Sequence, residues 1–178
     1  MKKVLILSAS PRRGGNSDLL CDAFLKGCSD VGHQAEKIFL ADKHIKSCQG
    51  SGVCNTTRVC VQKDDMADIL EKMIAADVIV MATPVYFYTM NGQMKTLIDR
   101  TVPRYEEIKG KSFYWILTAA DTSIDNMTRT VEGFRGFLAC LEDCREAGVI
   151  YGVGVWQKGE VRDTPAWQQA YEAGKSVA

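Results

Sequence analysis

The sequence predicts an α/β fold: a parallel sheet covered by helices on both faces. Three observations carry that reading. Short apolar runs alternate with amphipathic segments in the order βαβ(loop)αβαβαβα. Residues 78–82 (Val-Ile-Val-Met-Ala) are apolar at every position, as a strand buried on both faces requires. The chain has 178 residues with 46% hydrophobic content. That length buries roughly 70% of the unfolded surface without disulfide or metal staples. The expectation is one domain over residues 1–178, with right-handed crossovers and a cysteine-containing loop at about 41–63.

Residues 4–7 (Val-Leu-Ile-Leu) read as a first buried strand. A helix over 16–30 follows, with Leu20, Phe24 and Cys28 one turn apart. Residues 35–40 alternate weakly and read as a second strand. Residues 41–63 have no clear period and read as a long loop, a length usually kept for function. Residues 64–75 form a helix opened by two aspartates, with Met66, Ile69, Leu70, Met73 and Ile74 on one face. Strand 78–82 leads to an aromatic loop over 84–90 and a short helix over 93–101. Strand 113–117 follows, then a helical region over 124–146 weakened by Gly133 and Gly136. Residues 148–156 read as the last strand. Thr164-Pro165 supplies an N-cap and an N1 proline for a final helix.

Charge excludes several classes. With 22 Lys+Arg against 22 Asp+Glu, the chain lacks the basic excess of proteins that bind nucleic acid or anionic membranes. No run approaches 18 apolar residues, and the apolar start is too short for a secretory leader. Seven cysteines, an odd number, exclude a fully paired disulfide framework and suit a reducing, cytoplasmic compartment.

Two segments carry chemistry. Residues 8–17 (Ser-Ala-Ser-Pro-Arg-Arg-Gly-Gly-Asn-Ser) join the first strand to a helix N-terminus, where free amides and the helix dipole attract anions. Ser8, Ser10, Asn16, Ser17 and the Arg12/Arg13 pair are candidate phosphate donors. The alternative is an ordinary turn with Asn16 as N-cap. Neither a Walker A ending nor Gly-x-Gly-x-x-Gly is present. The second segment, residues 82–95, places Tyr86, Phe87 and Tyr88 after the central strand. Ligands of open α/β sheets sit outside such strand ends.

Ser10-Pro11-Arg12-x3-Asn16-Ser17, Pro84-Val85-Tyr86-Phe87 and Gly92-Gln93-Met94-Lys95-x3-Asp99-Arg100 together resemble the flavodoxin-like NAD(P)H-dependent FMN reductase family. The middle of the chain is similar to that family's iron–sulfur flavoprotein branch. The likeness continues through Gly154-Val155-Trp156-x-Lys158-Gly159 and Thr164-Pro165. It implies a flavodoxin-like three-layer sandwich, strand order 2-1-3-4-5, with FMN at the switch point. It further implies that Ser10, Arg12, Asn16 and Ser17 hold the FMN phosphate. Pro84, Val85, Tyr86 and Phe87 then lie along the isoalloxazine, and Ala119, Ala120 and Asp121 border its other edge. An aromatic patch at a subunit interface is the other reading of Tyr86, Phe87 and Tyr88. The implied assembly is a homodimer or homotetramer.

The implied activity needs no catalytic side chain, because FMN carries the reactivity. NAD(P)H is the co-substrate, and the acceptor is a small molecule: a quinone, free flavin, ferric chelate or nitro compound. Two alternatives are an electron carrier with a degenerate iron–sulfur cluster and a non-enzymatic redox sensor. Net neutrality counts against a dedicated carrier. In the iron–sulfur branch four cysteines precede an Asp-Asp-Met helix. Here Cys48, Cys54 and Cys60 precede Asp64-Asp65-Met66, and Ser51 stands at the second ligand position. A cubane cluster takes four thiolates, so free loop thiols are expected in place of a standard cluster. His44 offers a Cys3His zinc set, but without a Cys-x2-4-Cys pair. Arg58 and Lys63 are the nearby cations suited to lowering a thiol pKa. Cys21 and Cys28 read as core fillers, Cys140 and Cys144 as packing, and Trp156 as either a pocket wall or core.

Overall fold

Val4, Ile6, Val78 and Val80 face one side of two adjacent parallel strands, and Leu5, Leu7, Ile79 and Met81 face the other. Apolar residues on both sides of each strand leave no face fit for water, so helices must cover both. In the computed structural model, which describes residues 1–178, they do. The elements are β1 (Lys3–Ser8), α1 (Asn16–Asp30), β2 (Gln34–Phe39), α2 (Cys54–Thr57), α3 (Met66–Ala75) and β3 (Val78–Tyr86). They continue with β4 (Thr89–Met90), α4 (Gly92–Asp99), β5 (Ser112–Thr118), α5 (Thr128–Leu138), β6 (Arg145–Gly152) and α6 (Pro165–Lys175). The parallel strands lie in the order β2-β1-β3-β5-β6, and β4 pairs antiparallel with the end of β3. Counting parallel strands alone, this is the 2-1-3-4-5 order of a flavodoxin-like sandwich.

Helices α1 and α6 cover the Val4 side, where 18 buried residues form one cluster. Helices α3, α4 and α5 cover the other, where 25 do. Trp115 stacks on Phe134 there at 4.7 Å between centroids, and its Nε1 donates to Glu146. Helices α1 and α6 cross in backbone contact. A Cβ on Gly27 would lie 2.1 Å from the Tyr171 carbonyl oxygen, and one on Gly174 2.1 Å from that of Phe24. No helix is long and apolar enough to cross a membrane.

The structure corrects several boundaries. The aromatic loop expected over 84–90 is a hairpin: β3 runs on to Tyr86 and turns through Phe87 and Tyr88, both at positive φ (50° and 62°), into β4. Pro84 reads as a breaker in sequence, yet proline is tolerated at a strand margin. The expected helix over 124–146 shrinks to α5, and Asp143 at φ 54° turns the chain into β6. That strand begins at Arg145 and stops at Gly152, so Trp156 lies beyond it and is 69% exposed rather than core. The loop over 41–63 contains the single-turn helix α2.

Candidate functional site

The turns after β1, β3 and β5 leave the sheet at the carboxyl ends of adjacent parallel strands, on either side of the place where the order reverses. Asn91 binds the first two together. It caps α4 by accepting from the Met94 amide at 3.1 Å, and its Nδ2 donates to the Ala9 carbonyl at 2.6 Å. Its own amide donates to Thr83 Oγ1. Sequence reasoning missed Asn91 and Thr83; the one visible signal was an Asn before the helix-opening Gly92-Gln93.

The first turn is built from the inside. Ser8 Oγ donates to buried Asp18 at 3.0 Å, and the Gly14 amide donates to the same carboxylate at 2.8 Å. Lys37 Nζ donates to Asp18 at 2.8 Å and to Asp22 at 2.5 Å. Burial pulls the Asp18 carboxyl upward, but these partners outweigh it, Lys37 foremost, and hold it below its ordinary value. Ser10 Oγ accepts from the Arg12 amide and donates to the Arg12 carbonyl. A Cβ on Gly15 would meet Ser10 Oγ at 2.7 Å and the Arg12 oxygen at 2.8 Å, so the turn closes only over glycine.

Of the six residues read as phosphate donors, the structure therefore engages four elsewhere, Arg13 among them in its pair with Asp42. Ser8 is committed to Asp18 and Ser10 to its own turn. Asn16 is neither N-cap, a place taken by Gly15, nor a free donor. Its Nδ2 donates to the Gln157 carbonyl at 2.9 Å, and its Oδ1 accepts from the Gly159 amide at 3.0 Å. The partner loop lies far along the chain, which is why the sequence hid this role. Arg12 remains exposed, its guanidinium touching only the Trp156 carbonyl at 3.4 Å. Ser17 is buried and no protein group takes its hydroxyl. The amides of Asn16, Ser17 and Asp18 find no acceptor in the chain, and no side chain caps them. Buried unpaired amides at a helix start, a glycine-tight turn and a free guanidinium together fit a phosphate-sized anion.

The other two turns form the flanks. Pro84 and Val85 are half-buried, Tyr86 is exposed, and Phe87 is 99% exposed at the hairpin tip. Ala119 is buried and Ala120 exposed. The Asp121 carboxylate accepts from the Ser123 amide and Asn126 Nδ2, each at 2.8 Å. These bonds, the Ser123 amide first, lower its pKa. The Asp121 and Ala119 carbonyls accept from the Gly154 and Val155 amides. The loop after β6 is thus fastened to the β5 turn at one end and to Asn16 at the other.

Cys48, Cys54 and Cys60 line a single cavity of 190 Å3 with Ser51, Gln62 and Val102 among its walls. No three His, Cys, Asp or Glu side chains converge on a point that could hold a metal ion. With Ser51 at the second of the four ligand positions, this donor set does not fit a four-thiolate cluster. The cation beside Cys60 is Arg100, at 3.5 Å from its sulfur; Arg58 instead pairs with Glu106. Arg100 forms a buried bidentate pair with Asp64, at 2.7 and 2.9 Å, and donates to the Lys46 carbonyl. Cys21 and Cys28 are buried, and burial raises the Cys28 thiol to about 11.

An open parallel sheet whose switch point gathers unpaired helix amides and an exposed guanidinium is an arrangement suited to a nucleotide phosphate. The chain belongs to the NADPH-dependent FMN reductase family, which it matches over residues 2–158. It is 40% identical over 113 residues to an iron–sulfur flavoprotein of Archaeoglobus fulgidus, covering 62% of this chain and 51% of that one. An iron–sulfur flavoprotein of Methanosarcina thermophila is 37% identical over 100 residues, covering 56% and 52%. The chain spans about half the length of these curated relatives. Among solved structures, it is similar in fold to an NAD(P)H:quinone oxidoreductase from Methanothermobacter marburgensis, with a TM-score of 0.72, 18% identity and 99% of both chains covered. An FMN-dependent NADH-azoreductase from Bacillus anthracis, solved with FMN, has a TM-score of 0.72 and 16% identity, with 97% of both chains covered.

Proposed function

We propose that residues 1–178 act as one FMN-binding domain of an oxidoreductase that takes hydride from NAD(P)H and passes electrons to a small acceptor. A quinone, free flavin, ferric chelate or nitro compound is the class of acceptor. The observation that carries this reading is the set of unpaired α1 amides beside Ser17 and Arg12 at the switch point, in a chain of this family. Arg12, Ser17 and the amides of residues 16–18 hold the FMN phosphate, while Ser8, Ser10, Asn16 and Asp18 shape the turn. Pro84, Val85, Tyr86 and Phe87 lie along one edge of the ring system, and Ala119, Ala120 and Asp121 along the other. Bound FMN supplies hydride acceptance and stepwise electron release. The chain's residues bind and orient it, and the exposed flank at Tyr86 leaves room for dinucleotide and acceptor to visit in turn. The protein works in the cytoplasm as a homodimer or homotetramer, with the Phe87 tip available to a second copy.

The test is an absorption spectrum of the purified protein followed by NAD(P)H oxidation with a quinone. Two flavin bands and steady turnover support the proposal; a flavin-free protein that binds no added FMN sinks it. The likeness to iron–sulfur flavoproteins and the three-cysteine cavity favour one second reading, an electron carrier. Stoichiometric iron and acid-labile sulfide would establish that one instead.

A further inference from the structure

Four cations surround the β1–α1 turn, and two are already neutralised. Arg13 pairs with Asp42 and lies over the Phe39 ring, 4.6 Å from its centroid. Lys37 serves Asp18 and Asp22. Arg12 has no carboxylate partner. The fourth is Lys158, from the loop after β6. A Cβ placed on Gly14, itself at φ +66°, would lie 2.9 Å from Lys158 Cε and 3.3 Å from Nζ. The ammonium therefore rests against the turn, and Lys158 forms no ion pair. The nearest acid on its own loop, Glu160, accepts from the Trp156 and Gln157 amides at 2.7 and 2.8 Å.

This placement is held rather than incidental. Asn16 grips the loop on both sides of Lys158, at the Gln157 carbonyl and the Gly159 amide, and Gly159 turns the chain at φ +98°. Arg12 reaches the same loop at Trp156. A phosphate monoester carries close to two negative charges near neutral pH. Arg12 alone supplies one positive charge, and the carboxylate beneath the turn, Asp18, is balanced by Lys37. The open charge is one, and Lys158 is the cation positioned to supply it.

We propose that Lys158 is the second phosphate-binding cation of the site and, with Arg12, makes it select FMN over riboflavin. This rests on the reading that the FMN phosphate occupies the β1–α1 turn. The two residues come from opposite ends of the sequence, so the phosphate is clamped between the first turn and the last. Arg12 offers a fork for two oxygens, and Lys158 a single point charge.

The experiment measures FMN and riboflavin affinity of the flavin-stripped full chain by flavin fluorescence, for the native protein and for Lys158→Gln, Lys158→Arg and Arg12→Gln. Lys158→Gln is expected to weaken FMN about tenfold, or about 1.4 kcal/mol, and to leave riboflavin unchanged. Its FMN affinity should also depend less on salt than the native protein's. Lys158→Arg should restore most of the loss. If Arg12→Gln weakens FMN and Lys158→Gln does not, the assignment of Lys158 is overturned while the phosphate reading stands. An equal loss of FMN and riboflavin in Lys158→Gln also overturns it, because a loop role alone would do that. FMN bound at native affinity by both variants overturns the phosphate reading and Lys158 with it.

Discussion

The β1–α1 turn and the cysteine loop leave the carboxyl ends of neighbouring parallel strands, β1 and β2, yet they are held in opposite ways. In the turn, Ser8, Ser10, Gly15, Asn16 and Ser17 are all buried, and their ties run to Asp18 and to the loop after β6. In the cysteine loop most residues are exposed. Its ties, surface ion pairs apart, come from its own exit and from Arg100: Asp65 holds the His44 amide, Asp64 the Lys46 amide, Gln62 the Ser47 carbonyl, and Arg100 clasps Asp64. A turn braced from several elements is preorganised for a ligand. A loop hung mainly on one buried ion pair, with its Arg13–Asp42 and Arg58–Glu106 pairs at the surface, tolerates change at its exposed tip, where Ser51 stands.

The sharpest break of that contrast is Arg100→Ala. It leaves Asp64 buried without its partner and should cost about 3–5 kcal/mol in urea unfolding, because Arg100 and Asp64 are 2% and 6% exposed. FMN affinity of the molecules still folded should be unchanged. Asp18→Ala comes next, at about 2 kcal/mol, and should weaken FMN as well, because the Ser8 and Gly14 bonds go with it. A shared affinity loss in the Arg100 variant would erase the distinction between the two regions.

Acid titration sharpens it. Burial raises the Asp64 carboxyl, but Arg100 outweighs burial and holds it below its ordinary value, as Lys37 does for Asp18. Both groups are depressed in the folded chain, so their stabilisation is present above about pH 4 and fades as pH falls through the depressed values. Unfolding midpoints measured from pH 6 to pH 3 should fall less steeply in Arg100→Ala than in the native chain.

Smaller effects follow. Arg12→Gln should weaken FMN about tenfold, or about 1.4 kcal/mol, with the urea midpoint unmoved. In the cysteine loop, Arg58 sits at φ 58° and pairs with Glu106 across solvent. Arg58→Gly should change stability by less than about 1 kcal/mol, since relief of the left-handed backbone offsets a weak surface pair. A larger loss would mean that the loop has a second anchor.

The β-α alternation, both faces of β3 and the exact span of α1 were legible from apolar spacing, because burial on two faces writes itself into consecutive residues. The hairpin at Phe87 and Tyr88 was not: Pro84 masks a strand end, and nothing local marks two bulky residues for positive φ. The site was legible as a cluster of donors but not in their division of labour. Whether Asn16 faces an anion or the Gln157 carbonyl depends on a segment that no local pattern connects to it. Lys158 was part of a matched motif, yet its place beside Gly14 follows only from the folded path of the chain.

The bonds from Asn16 to Gln157 and Gly159 span 141 and 143 residues. A ribosome adding about 5–20 residues per second completes the clamp some 7–28 s after the turn it closes. Through that interval β1 and α1 lack the loop that grips Asn16, and α6 is not yet there to cover α1. Any ligand that needs the closed clamp therefore finds its site complete only once the chain is nearly finished.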